Sequence, residues 1–209
     1  MFEEWKSIEH ALNYLRRADS IPHRTEGEST LLEEIPSQAK RILDIGSGDG
    51  RLLNLLLLKC PNAYGVALDF SPAMLDKLKE RYAKENRVEI VEHDITNPLP
   101  LSLGNFDVIV SSFSIHHLNN ERKYQLYSEI FNMIESGGIF CNLEHVSSPT
   151  ARLHNKFYEY IGMKVDEEDK SNILLDVETQ LKWLREIGFD DVDCYWKWRE
   201  LALLIGKKR

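Results

Sequence analysis

The chain has 209 residues and a net charge of −8, with 43% hydrophobic and 29% charged side chains. That is enough for one domain with a real core, and the acidic balance argues against a broad nucleic-acid surface. The longest apolar run, LLNLLLLKC, is too short to cross a membrane.

Phe2, Trp5, Ile8, Leu12 and Leu15 recur at helical spacing and predict an opening amphipathic helix. A polar joint, DSIPHRTEGEST, leads to a short helix over 29–35. RILDI then reads as a buried strand, and Arg51 to Lys59 as a helix. NAYGVALDF is the second strand. Ser71 and Pro72 start a helix to about Lys84, with Ser as cap and Pro in the first turn. RVEIVEHD and FDVIVSSF are strands three and four. A helix over Glu121–Glu135 is closed by Gly137 and Gly138. GIFCNLEHV is strand five, followed by a helical insert over Thr150–Met163 and an acidic connector, DEEDKS. A last helix, Asp176–Ile187, ends at Gly188, and DVDCYWKW with ELALLIGK closes the chain as a pair of strands. Strands alternating with helices imply a doubly wound α/β sheet with helices on both faces.

Cys60, Cys141 and Cys194 are scattered and odd in number, so they read as reduced thiols of a cytoplasmic protein. The N-terminal residues are charged from Glu3 onward and lack a signal-peptide core. No group of residues has the spacing of a metal site.

The stretch DIGSGDG joins strand one to its helix. In such sheets ligands sit beyond the carboxyl ends of the strands. Gly46, Gly48 and Gly50 permit a tight turn and leave no β-carbon between backbone and ligand, while the next helix points free amides at the same space. The spacing is G-x-G-x-G after Asp44, with Arg51 where a dinucleotide fingerprint needs its last glycine.

This pattern resembles the first motif of the class I S-adenosylmethionine-dependent methyltransferases, in their small-molecule branch. Asp69, nineteen residues after Gly50, stands where that family places its ribose-binding acid. Asp94 in EHDITNPLP matches the acid that faces the adenine amino group, and Ile95 the residue packed on the ring. FDVIVSSFSIHHL looks like strand four and its loop, and GFDDV…ELALLIGKK like the sixth and the reversed seventh strand. The resemblance covers residues 38–147 and 176–207. It implies a Rossmann-like sheet of seven strands, mostly parallel with a reversed last strand. It also implies a helical cap or lid at 1–36, a methyltransferase domain at 37–209 and an insert at about 149–170.

The implied cofactor is S-adenosyl-L-methionine, leaving as S-adenosyl-L-homocysteine. Asp44, Gly46, Ser47, Gly48, Asp69, Phe70, Asp94, Ile95 and Ser111 are its candidate contacts, with Arg24 reaching for the cofactor carboxylate. His116, Glu144 and His145 lie at the ligand edge of the sheet and are the candidate catalytic residues, His116 as a general base; loop packing is the alternative for the His116–His117 pair. The chain lacks the DPPY/NPPY and Pro-Cys motifs of nucleobase- and glutamine-modifying branches. A small-molecule acceptor, no membrane, and a monomer or homodimer are therefore expected. Two other readings stand beside this one. The layout is also similar to the bacterial carboxy-S-adenosylmethionine synthase of tRNA wobble-uridine modification, whose insert carries an arginine; Arg152 is the candidate here. The third reading is a cofactor-binding protein without transfer activity.

Overall fold

The computed structural model describes residues 21–209 together with Ser7. The opening helix expected from Phe2 to Leu15 lies otherwise outside the described residues. The elements are α1 (Arg24–Glu34), β1 (Arg41–Ile45), α2 (Arg51–Lys59), β2 (Tyr64–Asp69), α3 (Pro72–Arg81), β3 (Val88–Glu92), β4 (Phe106–Ser112), α4 (Asn120–Met133), β5 (Ile134–His145), α5 (Ala151–Tyr160), α6 (Val177–Ile187), β6 (Asp190–Trp198) and β7 (Leu201–Lys207).

The strands form one sheet in the order β3-β2-β1-β4-β5-β7-β6. Strands β1 to β5 pair in parallel, and β7 runs antiparallel to both β5 and β6. The order reverses between β1 and β4, so the loops after β1 and β4 part there and open a crevice.

Each buried strand feeds two cores by alternation, the period of two expected of a pleated strand covered on both faces. Ile42, Val108, Val110, Cys141, Leu203 and Ile205 pack with leucines of α1 and α2 and with Phe157 of α5. Leu43, Ile45, Ile109, Phe140 and Leu204 pack with Leu126, Tyr127 and Ile130 of α4 and Leu184 of α6. Residues 24–34 share the first of these cores through Leu31, which is fully buried.

Several helix boundaries differ from the sequence-based expectation. Helix α1 begins five residues before Ser29, because His23 takes a left-handed turn (φ 64°) and stacks on Trp198 at 4.5 Å. Arg24 and Glu28 are thus helical residues rather than loop. Ser71 makes no side-chain cap. Its amide is instead held by Asp69 Oδ1 at 2.9 Å, while Pro72 opens α3 as expected. Helix α4 stops at Met133 without glycine, and Gly137 and Gly138 lie inside β5. Asn119 and Asp176 cap α4 and α6, each accepting an amide at 2.8 Å.

Candidate active site

A cavity of about 390 Å³ opens at the carboxyl ends of β1, β2 and β4. Its size suits one small organic molecule. The glycine loop forms one wall. Gly46 and Ser47 both donate their amides to Leu68 O, tying the loop to the end of β2. Gly46 has φ 68°, and a β-carbon there would strike the Ser114 side chain. This glycine makes room for the β4 loop, a packing reason the sequence does not reveal. Gly48 also has positive φ but faces open space, and its amide donates to Asp69 Oδ2 at 2.8 Å.

Asp69 is therefore held at both oxygens by backbone amides, with lone pairs remaining for a ligand. Burial pushes its pKa up to about 6. Asp44 is the more unusual group. It lines the cavity and is 1% exposed, yet neither carboxylate oxygen makes a hydrogen bond of good geometry among the described residues, and Ser47 and the Leu53 backbone offset only part of the burial. Burial pushes its pKa up to about 7. An unpaired buried carboxylate is costly, and a ligand ammonium would remove that cost.

A basic group stands nearby. Buried Glu28 accepts from Arg24 Nε at 3.0 Å and from Arg51 Nε and a terminal nitrogen at 3.0 and 2.8 Å. Both guanidiniums line the cavity. Two cations on one carboxylate leave a net positive charge, suited to an anionic group beside Asp44. Phe70, Leu68, Met74 and Ile95 supply apolar wall.

Two expected contacts do not line the cavity. Asp94 turns its carboxylate onto Thr96, accepting from the amide at 2.9 Å and the hydroxyl at 2.7 Å, while its neighbours His93 and Ile95 face the cavity. Ser111 is buried and donates to Ile45 O, so Ser112 is the cavity serine.

His116, Glu144 and His145 are brought together, but behind the cavity wall. His116 Nδ1 lies 2.5 Å from Glu144 Oε1, and the His116 and His145 rings are 5.7 Å apart. Burial drives the His116 pKa well down and pushes Glu144 up to about 7, so the pair favours its neutral form. His145 Nε2 and His154 Nδ1 both meet buried Glu200 at 3.1 Å, which fastens α5 to the sheet. The short 3₁₀ turn Ile115–His117 aims His117, not His116, at the cavity.

Sequence reasoning did not single out Phe113, Ser114, His93 or Arg51. Phe113 adopts φ 53°, rare for an aromatic residue, and lies under the Arg24 guanidinium at 5.4 Å. Only Arg51 carried a sequence signal, as the first residue after the glycine loop.

The family profile described as "Methyltransferase domain" matches residues 42–138, from β1 into β5. Residues 42–138 therefore carry a methyltransferase domain. With the seven-stranded topology and the cavity at its switch point, this supports a class I S-adenosylmethionine-dependent methyltransferase. The chain is 26% identical to a carboxy-S-adenosyl-L-methionine synthase of Helicobacter hepaticus, over 90% of this chain and 87% of that one. It is 29% identical to a demethylmenaquinone methyltransferase of Clavibacter sepedonicus, over 76% of this chain and 69% of that one. Among solved structures, an O-methyltransferase family protein from Burkholderia thailandensis shares the fold with a TM-score of 0.75 at 17% identity, across 98% of this chain and 61% of that one. Human N-acetylserotonin methyltransferase, solved with its S-adenosylmethionine, gives 0.69 at 16%, across 98% and 57%. The chain thus spans under two thirds of these two methyltransferase structures.

Proposed function

We propose that this methyltransferase moves the methyl group of S-adenosyl-L-methionine to a small-molecule acceptor and releases S-adenosyl-L-homocysteine. The observation that carries the reading is the orphaned, buried Asp44 carboxylate in the cavity wall. It fits the α-ammonium of the cofactor. Arg24 and Arg51, positioned by Glu28, fit the α-carboxylate. Asp69 takes the ribose hydroxyls, and Phe70 with Ile95 borders the adenine. The bound cofactor supplies an electrophilic methyl group on a sulfonium. The protein's own contribution is to orient both partners and keep water out.

Asp94 serves this site through its Asx turn, which sets the chain direction between His93 and Ile95. Ser111 acts only by bracing β4 against β1. The three thiols are unpaired, two of them buried, in keeping with a reducing, cytoplasmic setting. No helix among the described residues is long and apolar enough to cross a membrane.

The carboxy-S-adenosylmethionine synthase reading has one observation in its favour. Relatives of that name, such as the Helicobacter hepaticus protein, align over nine tenths of this chain. Against it, Arg152 is exposed and does not line the cavity. The test for all readings starts with the purified protein. Native mass spectrometry identifies any adenosyl compound it carries, and calorimetry measures S-adenosylmethionine binding. Release of S-adenosylhomocysteine in the presence of acceptors supports transfer. A carboxylated adduct supports the synthase reading. Tight binding with no turnover supports a non-catalytic role, and no binding refutes the proposal.

A further inference from the structure

His117 is the histidine of the β4 loop that lines the cavity, and its orientation is set from outside that loop. Its Nδ1 lies 2.9 Å from Ser171 Oγ. Ser171 in turn donates its hydroxyl to Asp169 Oδ1 at 2.7 Å, and Asp169 Oδ1 also accepts the Ser171 amide at 2.9 Å. Since the serine proton goes to the carboxylate, Ser171 Oγ accepts from His117 Nδ1–H. That assigns the proton to Nδ1 and leaves Nε2 as the acceptor nitrogen. Asp169 and Ser171 belong to the connector between α5 and α6, the stretch that the sequence marks only as acidic.

That connector is not loose. Ile173 N donates to His116 O at 3.0 Å, Ser147 N donates to Leu175 O at 3.1 Å, and the buried Lys123 ammonium donates to Ile173 O. Three anchors thus press the connector against the histidine turn. Ser112, Phe113 and Ser114 border the cavity beside His117, at the end of β4.

We propose that His117, rather than His116, is the catalytic residue that meets the methyl acceptor. Ser171 and Asp169 lock its tautomer, so that Nε2 receives the proton of an O–H or N–H group undergoing methylation. The inference rests on the methyl-transfer reading above. The balance is simple. The acceptor atom gains a methyl group and loses one proton, and the cofactor leaves as a neutral thioether. The proton passes to Nε2, and the imidazolium so formed donates through Nδ1–H to Ser171 and on to the Asp169 carboxylate. Burial and the neighbouring His116 drive the His117 pKa far below the ordinary histidine value, so the ring is neutral at rest, while the Asp169 charge and the Ser171 backbone act in the opposite direction and favour the imidazolium once it forms. The acceptor class is then one that carries a dissociable proton on the reacting atom, rather than a tertiary amine or a thioether.

The test has two arms. The first reads the tautomer by NMR of protein labelled with isotopic histidine, in complex with S-adenosylhomocysteine at neutral pH. His117 is expected with its proton on Nδ1 and Nε2 bare, and Ser171→Ala is expected to turn this into a mixture. A proton on Nε2, or a tautomer indifferent to Ser171→Ala, overturns the proposal. The second arm incubates the protein with methyl-labelled S-adenosylmethionine and a deproteinised small-molecule cell extract, and counts label in non-cofactor products. His117→Ala is expected to lower transfer about a hundredfold or more, with S-adenosylhomocysteine affinity kept within about threefold of wild type on the same scale of effects. Transfer unchanged in His117→Ala refutes the proposal. A wild-type protein that fails to bind S-adenosylhomocysteine refutes the cofactor reading instead, and the calorimetric measurement separates the two failures.

Discussion

Replacing Asp44 by Asn tests the core of the functional reading, because it keeps the shape and removes the charge. In the ligand-free protein, burial raises the Asp44 pKa from 3.8 to about 7. The rise corresponds to on the order of 4 kcal/mol of penalty on the ionised form. The sign follows from linkage. A carboxyl group whose folded pKa is raised favours the folded state below its unfolded pKa, and that contribution is lost as pH rises through about 7. The wild-type protein without ligand therefore loses stability between about pH 4 and pH 7 at this residue, and Asp44→Asn does not. At about pH 8 the Asn variant is expected to be the more stable protein, by up to a few kcal/mol in urea unfolding.

On the proposed reading, ligand binding should have the opposite preference. The cofactor ammonium needs the carboxylate ionised, so wild-type affinity for S-adenosylhomocysteine rises with pH until Asp44 is ionised without help. A free pKa of about 7 gives roughly a thirtyfold gain between about pH 5.5 and pH 8. Asp69, pushed up to about 6, adds roughly fourfold in the same direction. Calorimetric titration of both proteins across this range measures it. Asp44→Asn should bind at least about tenfold more weakly at high pH and keep only the smaller Asp69 slope. A wild-type affinity independent of pH, or an Asn variant less stable than wild type at pH 8, refutes the assignment of Asp44 as an uncompensated carboxylate awaiting a cation.

Other substitutions separate the ends of the cavity. Arg24→Ala should weaken S-adenosylhomocysteine binding roughly 10–100-fold, the worth of a charge-assisted contact. It should leave 5′-methylthioadenosine, which lacks the amino-acid group, nearly untouched; equal losses for both ligands would show that Arg24 acts on the fold. Asp69→Ala should weaken both ligands at least about tenfold, since ribose is common to them. Part of that loss comes from releasing the Gly48 and Ser71 amides, and unchanged affinity would move the ribose elsewhere. Gly46→Ala forces a β-carbon into Ser114 at a positive φ, at a cost of about 1–3 kcal/mol for the backbone alone. It should lower the unfolding midpoint and abolish cofactor binding, while a Gly46→Ala, Ser114→Gly double variant should recover part of the stability.

The sequence by itself carried the α/β order and the place of the glycine loop. Buried strands in a two-faced sheet are apolar along their length, and the helices between them repeat at their own period. Those are local signals. Asp44 and Asp69 could be placed at the cavity for the same reason, because both lie at the carboxyl ends of strands that point at the switch crevice. The limits were equally physical. Whether Asp94 or His93 faced the cavity depended on an Asx turn to Thr96, and whether His116 or His117 did depended on the phase of one 3₁₀ turn. An adjacent pair in a turn has no period from which to read its direction. Arg24 opens a helix behind His23, whose ring stacks on Trp198, 175 positions later in the chain by their numbers. The lock on His117 came from Ser171 and Asp169, in a segment whose composition resembles any solvated connector. Such contacts join residues far apart in sequence, so only the packed tertiary structure decided which side chains reach the cavity.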